Sequence, residues 1–237
     1  MLTQQLFYSI NGETPRAIVW RLTLPIPIVR RPFAWRCEST VSHTTIDHVD
    51  VGDTGLDALR FAMSRGSFQL ALLVHRGAKL WLPNRAEELT PWFLASCFGF
   101  QPKSPEPSFA GETHKNDLPL RLSKPTTNTT KQELRWIKRD GTEVILEWNY
   151  ATPTGAGDAW NCLGWVEGTN IYVHTRGSSS LLAMIACMEQ VHFAIQMMIE
   201  QGEHICFPFD PKPLTSELFG QYFGFRASEH FPPPSQL

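Results

Sequence analysis

This chain repeats itself, and the repeat limits what it can fold into. Slid by 125 residues, positions 34–100 align with 159–225 without a gap and share 18 identities, where composition alone would give roughly four. Ala34-Trp35-x-Cys37 meets Ala159-Trp160-x-Cys162, Gly77 meets Gly202, Pro83 meets Pro208, and Phe98-Gly99-Phe100 meets Phe223-Gly224-Phe225. Two copies predict a pseudo-twofold or side-by-side tandem of domains rather than a solenoid, which normally needs three or more repeats. Each copy is long enough to bury one hydrophobic core.

A long apolar helix is predicted at the centre of each copy, over Leu56–His75 and Leu181–Glu200. Leu56, Leu59, Met63, Gly66, Leu70, Leu73 and Val74 form one stripe at helical spacing; Leu181, Met184, Met188, Val191, Ile195, Met198 and Ile199 form its counterpart. Gly66 is the one break in that apolar stripe. Thr54 with Asp57 matches a capping box, Ser178–Ser180 offer hydroxyl caps, and Gly77 and Gly202 suit left-handed C-terminal caps.

Ahead of each helix the apolar period changes to two. Residues 6–10 and 17–24 read as a hairpin through Asn11-Gly12, with Ile18, Trp20 and Leu22 facing the core. Its counterpart joins Leu134–Lys138 to Glu143–Trp148 through Asp140-Gly141. Third strands are expected at 33–41 and 159–166, and fourth strands at 44–49 and 169–174. A short strand follows each helix, and Thr90-Pro91 reads as the cap and first turn of a short helix, which Gly99 and Gly224 would close. The expected class is α+β: a tandem duplication of a unit in which an antiparallel sheet of about four to five strands packs on one long helix. The expected organisation is a first unit at 1–103, a Pro/Ser/Thr-rich linker at 104–130, a second unit at 131–226 and a loose tail at 227–237.

The five cysteines are odd in number, form no CxxC and lie in apolar surroundings, so buried free thiols in a reducing compartment are expected. The opening MLTQQLFYSINGETPR lacks the pattern of a secretory signal, and Glu189, Gln190, His192 and Gln196 interrupt the longest apolar run. These features lead to the expectation of a cytoplasmic protein without a membrane span. Charge is uneven: residues 1–103 sum to +3 and 127–225 to −5. No strong basic stripe invites nucleic acid.

Candidate chemistry is sparse. His43, Asp47, His48 and Asp50 have the look of a metal cluster, but strand alternation separates Asp47 from His48, and the second copy keeps none of the four. Cys37 and Cys162 recur with tryptophans at strand period, as packing residues do. No phosphate-cradling glycine loop, GxSxG or HExxH occurs. No catalytic, cofactor or metal residue is therefore assigned, and no cofactor is expected. The second helix is apolar nearly all round and holds four of six methionines. It is expected to be buried on two sides, against its own sheet and against the other unit or a partner.

In this layout, rich in tryptophan and without catalytic motifs, the chain resembles small bacterial immunity proteins, cytosolic inhibitors that neutralise a toxin. The resemblance is one of layout over the whole chain. It implies a non-enzymatic protein whose acidic half covers a basic cleft, as on a nuclease toxin, with Asp158, Glu167, Glu189, Glu200 and Glu203 as contacts. Two other readings stand beside it. A chaperone or adaptor for a secreted effector would bind through the Met-rich helix. An enzyme would place a site between the units, with His43, His48 and Arg30 first in line.

Overall fold

The computed structural model describes residues 1–10, 12–29, 34–83, 87–98 and 130–223. Asn11, Arg30, Gly99, Gly224 and the segments 104–129 and 227–237 lie outside it. The first half runs β1 (Leu2–Ser9), β2 (Arg16–Leu22), β3 (Ile26–Pro27), β4 (Trp35–Val41), β5 (Asp47–Gly52), α1 (Gly55–His75), β6 (Lys79–Trp81) and α2 (Pro91–Phe98). The second runs β7 (Thr130–Ile137), β8 (Glu143–Tyr150), β9 (Thr154–Ala156), β10 (Ala159–Val166), β11 (Tyr172–Gly177), α3 (Ser180–Glu200), β12 (His204–Cys206) and α4 (Ser216–Phe223). The class is α+β, with two antiparallel sheets.

Both sheets follow one path. Across the first the order is β5-β4-β2-β1-β6, and across the second β11-β10-β8-β7-β12; the short β3 and β9 pair with β4 and β10. Trp20 lies opposite Val41 and Trp148 opposite Val166. The two tryptophans are 128 residues apart and the two valines 125. The likeness of the halves thus extends to their first hairpins, and the proline-bearing connection from β2 to β4 absorbs the extra three residues.

Local chemistry sets the helix limits. Thr54 Oγ1 accepts from the Asp57 N–H at 3.1 Å while donating to Asp57 Oδ2 at 2.8 Å. Ser179 Oγ accepts from the Leu182 N–H at 3.1 Å. Gly77 and Gly202 follow the C-caps with φ of 94° and 85°, conformations that disfavour any side chain. Thr90 Oγ1 caps α2 through the Phe93 N–H at 3.1 Å. The fourth strands begin three residues later than expected, and in both halves the cause is a threonine turn. Thr44 Oγ1 donates to the Val41 carbonyl and accepts from the Ile46 N–H; Thr169 does the same between Val166 and Ile171. These bonds hold the chain in a tight turn before it can rejoin the ladder.

Each core forms where a helix lies across a sheet. Leu6, Ile18, Trp20 and Leu22 are buried with Leu56, Leu59, Met63 and Leu70; Leu134, Leu146, Trp148 and Cys162 are buried with Leu181, Met184, Met188, Val191 and Ile195. The break at Gly66 is filled from the sheet. A Cβ there would lie 2.5 Å from Trp20 Cζ2, so the indole occupies the room a side chain would need. Trp20 Nε1 donates to Ser39 Oγ at 2.9 Å. In the second half the bulk is exchanged: Val191 stands at the helix position, and Gly164 at the strand position of Ser39. A Cβ on Gly164 would meet Val191 Cγ2 and Cys187 Sγ at 2.8 Å.

The halves meet through a reciprocal pair of polar contacts. Gln4, buried on β1, accepts from Ser179 Oγ at 2.6 Å; Gln132, buried on β7, accepts from Thr54 Oγ1 at 2.8 Å. Each long helix therefore starts at a hydroxyl bonded to the first strand of the other half. The Thr3 N–H also donates to Ser180 Oγ at 2.8 Å.

Candidate functional site

α3 is positioned by its packing on β10 and β11, where Gly164 lets the helix approach the sheet. Leu181, Met184, Met188, Val191 and Ile195 face inward and are buried. A second side of α3, expected from composition to be buried, is covered at the N-terminal end by β1 of the first half and toward the C-terminal end by α4, through His192–Phe219 and Glu200–Ser216. The rest of the outer face is open. Phe193 is 51% exposed at its centre, with Ala186, Glu189, Gln190, Gln196 and Met197 partly exposed around it and Glu200 exposed beyond. Glu189, Phe193, Gln196 and Glu200 step by four, three and four residues and so share one stripe. The Glu200 carboxylate is held by Gln196 Nε2 and Ser216 Oγ, both at 3.0 Å. α3 is also the one helix among the described residues long and apolar enough to cross a membrane, against the expectation that its polar residues would keep it below that threshold; here it packs on a sheet.

The five acidic candidates do not form one patch. Glu189 and Glu200 share the α3 stripe. Glu203, just past the helix, accepts from Trp136 Nε1 at 2.8 Å, and Lys138 Nζ lies 5.0 Å from the Trp136 ring centre. Trp136, Lys138, Gly168, Thr169, Asn170 and Met198 line a shallow cavity of about 380 Å³. Glu167 opens the turn that forms one wall of that cavity, with its carboxylate accepting from Trp165 Nε1 at 3.0 Å. Asp158 sits in the β9–β10 turn at the opposite end of β10, so it is separated from the other four. Glu167 and Glu203 are bonded to indoles, and Glu189 and Glu200 lie on one stripe of α3. Phe193 belongs to the apolar second side of the helix but was not among the expected contact residues; its position between two glutamates at helical spacing was the available signal.

Of the residues suspected of enzymatic roles, His43 and His48 are described. His43, at φ 60°, is exposed in the turn before β5. His48 and Asp50, expected not to converge, do share the inner face of β5. His48 Nε2 lies 3.3 Å from Asp50 Oδ2, and Arg65 Nη1 3.5 Å from Asp50 Oδ1. Alternation separates them from Asp47 but places residues two apart on one face. Burial pushes the His48 imidazole below its usual range, against the pull of Asp50. No group of three or more His, Cys, Asp or Glu side chains among the described residues is placed to share a metal ion. Cys37, Cys162, Cys187 and Cys206 are free and buried. Burial pushes the Cys37 thiol up to about 12, where almost no thiolate exists at neutral pH. Cys37 Sγ and Cys162 Sγ donate to the carbonyls of Thr23 and Ala151 at 3.1 and 3.5 Å, a matched packing role.

One buried cation has no counterpart in the other half. Arg60 stands where the second half has Ile185, and its Nη1 lies 3.3 Å from Asp57 Oδ1. Burial lowers its pKa to about 10, so it stays charged at neutral pH. Its field adds to burial in pushing His192 down from 6.5 to about 3. The His192 ring packs on Phe219 at 4.5 Å and faces Trp148 at 6.4 Å between centroids. Because the folded chain resists protonation that the unfolded chain accepts, stability is full above pH 6.5 and is lost as pH falls toward 3, by up to about 1.4 kcal/mol per pH unit. Urea titrations at pH 6 and pH 4 test this: the parent should lose more stability than His192→Gln by about 2 kcal/mol. Equal losses would show that His192 does not govern acid sensitivity.

No protein-family model matches this chain, and no curated protein or solved structure matches it.

Proposed function

We propose that this chain is a non-enzymatic, cytoplasmic protein-binding protein of the immunity type, which neutralises a toxin by docking it on the outer face of α3. The observation that carries the reading is Phe193, half-exposed on a helix face between Glu189 and Glu200. An aromatic anchor inside a polar rim is the usual anatomy of a binding hot spot. The acidic rim selects a partner with basic groups around an apolar recess, as the cleft of a nuclease toxin would present. The hydrogen bonds from Gln196 and Ser216 preset the Glu200 carboxylate, which lowers the ordering cost on binding.

Recovery of the partner on the tagged full chain comes first, followed by kinetics with variants. Glu189→Lys with Glu200→Lys should slow association by about tenfold at low salt, with the difference shrinking as salt rises. Phe193→Ala should act on dissociation instead and cost about 2 kcal/mol. Co-expression with the partner should rescue growth for the parent and fail for the triple variant. Unaltered kinetics in all three substitutions would remove α3 as the docking face. A partner without toxicity would remove the immunity reading while leaving the face in place.

A further inference from the structure

Each sheet ends in one short edge and one long one. β6 and β12 have three residues each, whereas β5 and β11 have six. Short edge strands template little further pairing; longer ones without proline or lysine leave a usable row of N–H and C=O groups. The hydrogen-bond parity of both long edges can be read directly. The Val41 N–H bonds the Ile46 carbonyl, and the Val166 N–H bonds the Ile171 carbonyl. Ile46, His48 and Asp50 therefore direct their peptide groups toward β4, and Ile171, Val173 and Thr175 direct theirs toward β10. Asp47, Val49 and Val51 on β5, and Tyr172, His174 and Arg176 on β11, direct theirs to edges with no partner strand among the described residues.

Those six residues also carry the outward side chains. Val49 and Val51 are 50% and 47% exposed, and Asp47, His174 and Arg176 are exposed. Neither Asp47 nor Arg176 makes an ion pair among the described residues. The β5 set is acidic and apolar, and the β11 set is basic and aromatic. Laid antiparallel, Asp47 falls opposite Arg176, Val49 opposite His174 and Val51 opposite Tyr172. All three are positions where both strands offer free peptide groups, and all three place side chains on the same face. Among these outward side chains, pairing β5 with β5, or β11 with β11, brings no acid opposite a base in any register.

We infer that the chain associates head to tail with a second copy of itself, β5 of one molecule adding antiparallel to β11 of the next. The helices α1 and α3 then lie on one side of the joined sheet, and the contact is heterologous, so it closes into a ring or grows as an open row. This inference rests on the sheet edges alone and is independent of the α3 face.

Sedimentation velocity of the full chain over a wide concentration range tests it. The average mass should rise with concentration. Asp47→Arg and Arg176→Asp should each weaken association by about tenfold or more, because like charges then stand directly opposite. An equimolar mixture of the two variants should regain the parent's mass, since each edge again meets its opposite, and so should the chain carrying both changes. Val49→Lys should weaken association without altering the Asp47–Arg176 pair. All sites are exposed, so each variant should melt close to the parent. A monomer at every concentration, single variants that associate like the parent, or a mixture that fails to recover would each overturn the inference.

Discussion

Met188→Asp should leave the chain largely unfolded at moderate temperature. Met188 is 2% exposed, on the α3 face that packs against β10 and β11. The change removes a buried thioether and leaves a cavity, which costs about 2–5 kcal/mol. It also asks a carboxylate to be buried where the surrounding core is apolar: Met184, Val191 and Ile195 on the helix, and Cys162 and Val166 on the strand. That penalty adds several kcal/mol even if the acid takes up a proton. The sum approaches the whole stability of an ordinary domain. Thermal denaturation should show a fall of more than about 10 °C, whereas Met188→Leu should cost less than about 1.5 kcal/mol. If the aspartate variant melted with the parent, the inward face of α3 would be wrongly assigned.

Gly66→Val should be nearly as damaging, for the opposite reason. The valine is what α3 carries at the matching position, and helix propensity mildly favours it over glycine. The cost is steric: the first atom of any side chain lands 2.5 Å from Trp20 Cζ2 and 2.9 Å from its Nε1. The indole cannot retreat without breaking its bond to Ser39 and its edge-on contact with Phe98, whose ring centre is 5.3 Å away. A loss of about 3 kcal/mol is expected. Trp20→Phe removes the part of the ring in the way, so the double variant should be more stable than the two separate losses predict, by at least about 1 kcal/mol in a double-mutant cycle. Additive losses would mean that Gly66 matters for some reason other than the indole.

That pair also shows what could be read in the sequence and what could not. Gly66 was visible as a break in a helical stripe, because the stripe is a matter of spacing along one segment. Its filler lies on β2, and no local pattern ties the two. The caps at Thr54 and Ser179, the glycines at 77 and 202 and the inward set on β2 were legible for the same reason: each depends on neighbours a few residues away. The three-residue delay of β5 and β11 was legible in principle, since Thr44 and Thr169 recur; period-two alternation ran on through them and hid the turn. The open side of α3 was not legible, because composition says that a helix is apolar but not which of its faces the rest of the chain covers. For the same reason Asp158 joined a list of acids from which the fold separates it. Gln4 and Gln132 could have been noticed as polar residues on the inward side of a strand, but they recur at a spacing of 128 rather than 125, and the single spacing that aligned the longer block passed over them.

Those two glutamines have a consequence for how the molecule comes apart. Ser179 Oγ takes the Leu182 N–H and gives its own proton to Gln4; Thr54 Oγ1 takes the Asp57 N–H and shares its proton between Asp57 and Gln132. The hydroxyl that starts each long helix is thus oriented from the far half. If β1 frays, the first turn of α3 loses the acceptor that aims its cap, and if β7 frays, α1 does. The loss of one half is felt at the point where the other's central helix nucleates, so the opening of either sheet weakens the other although they have no strand in common.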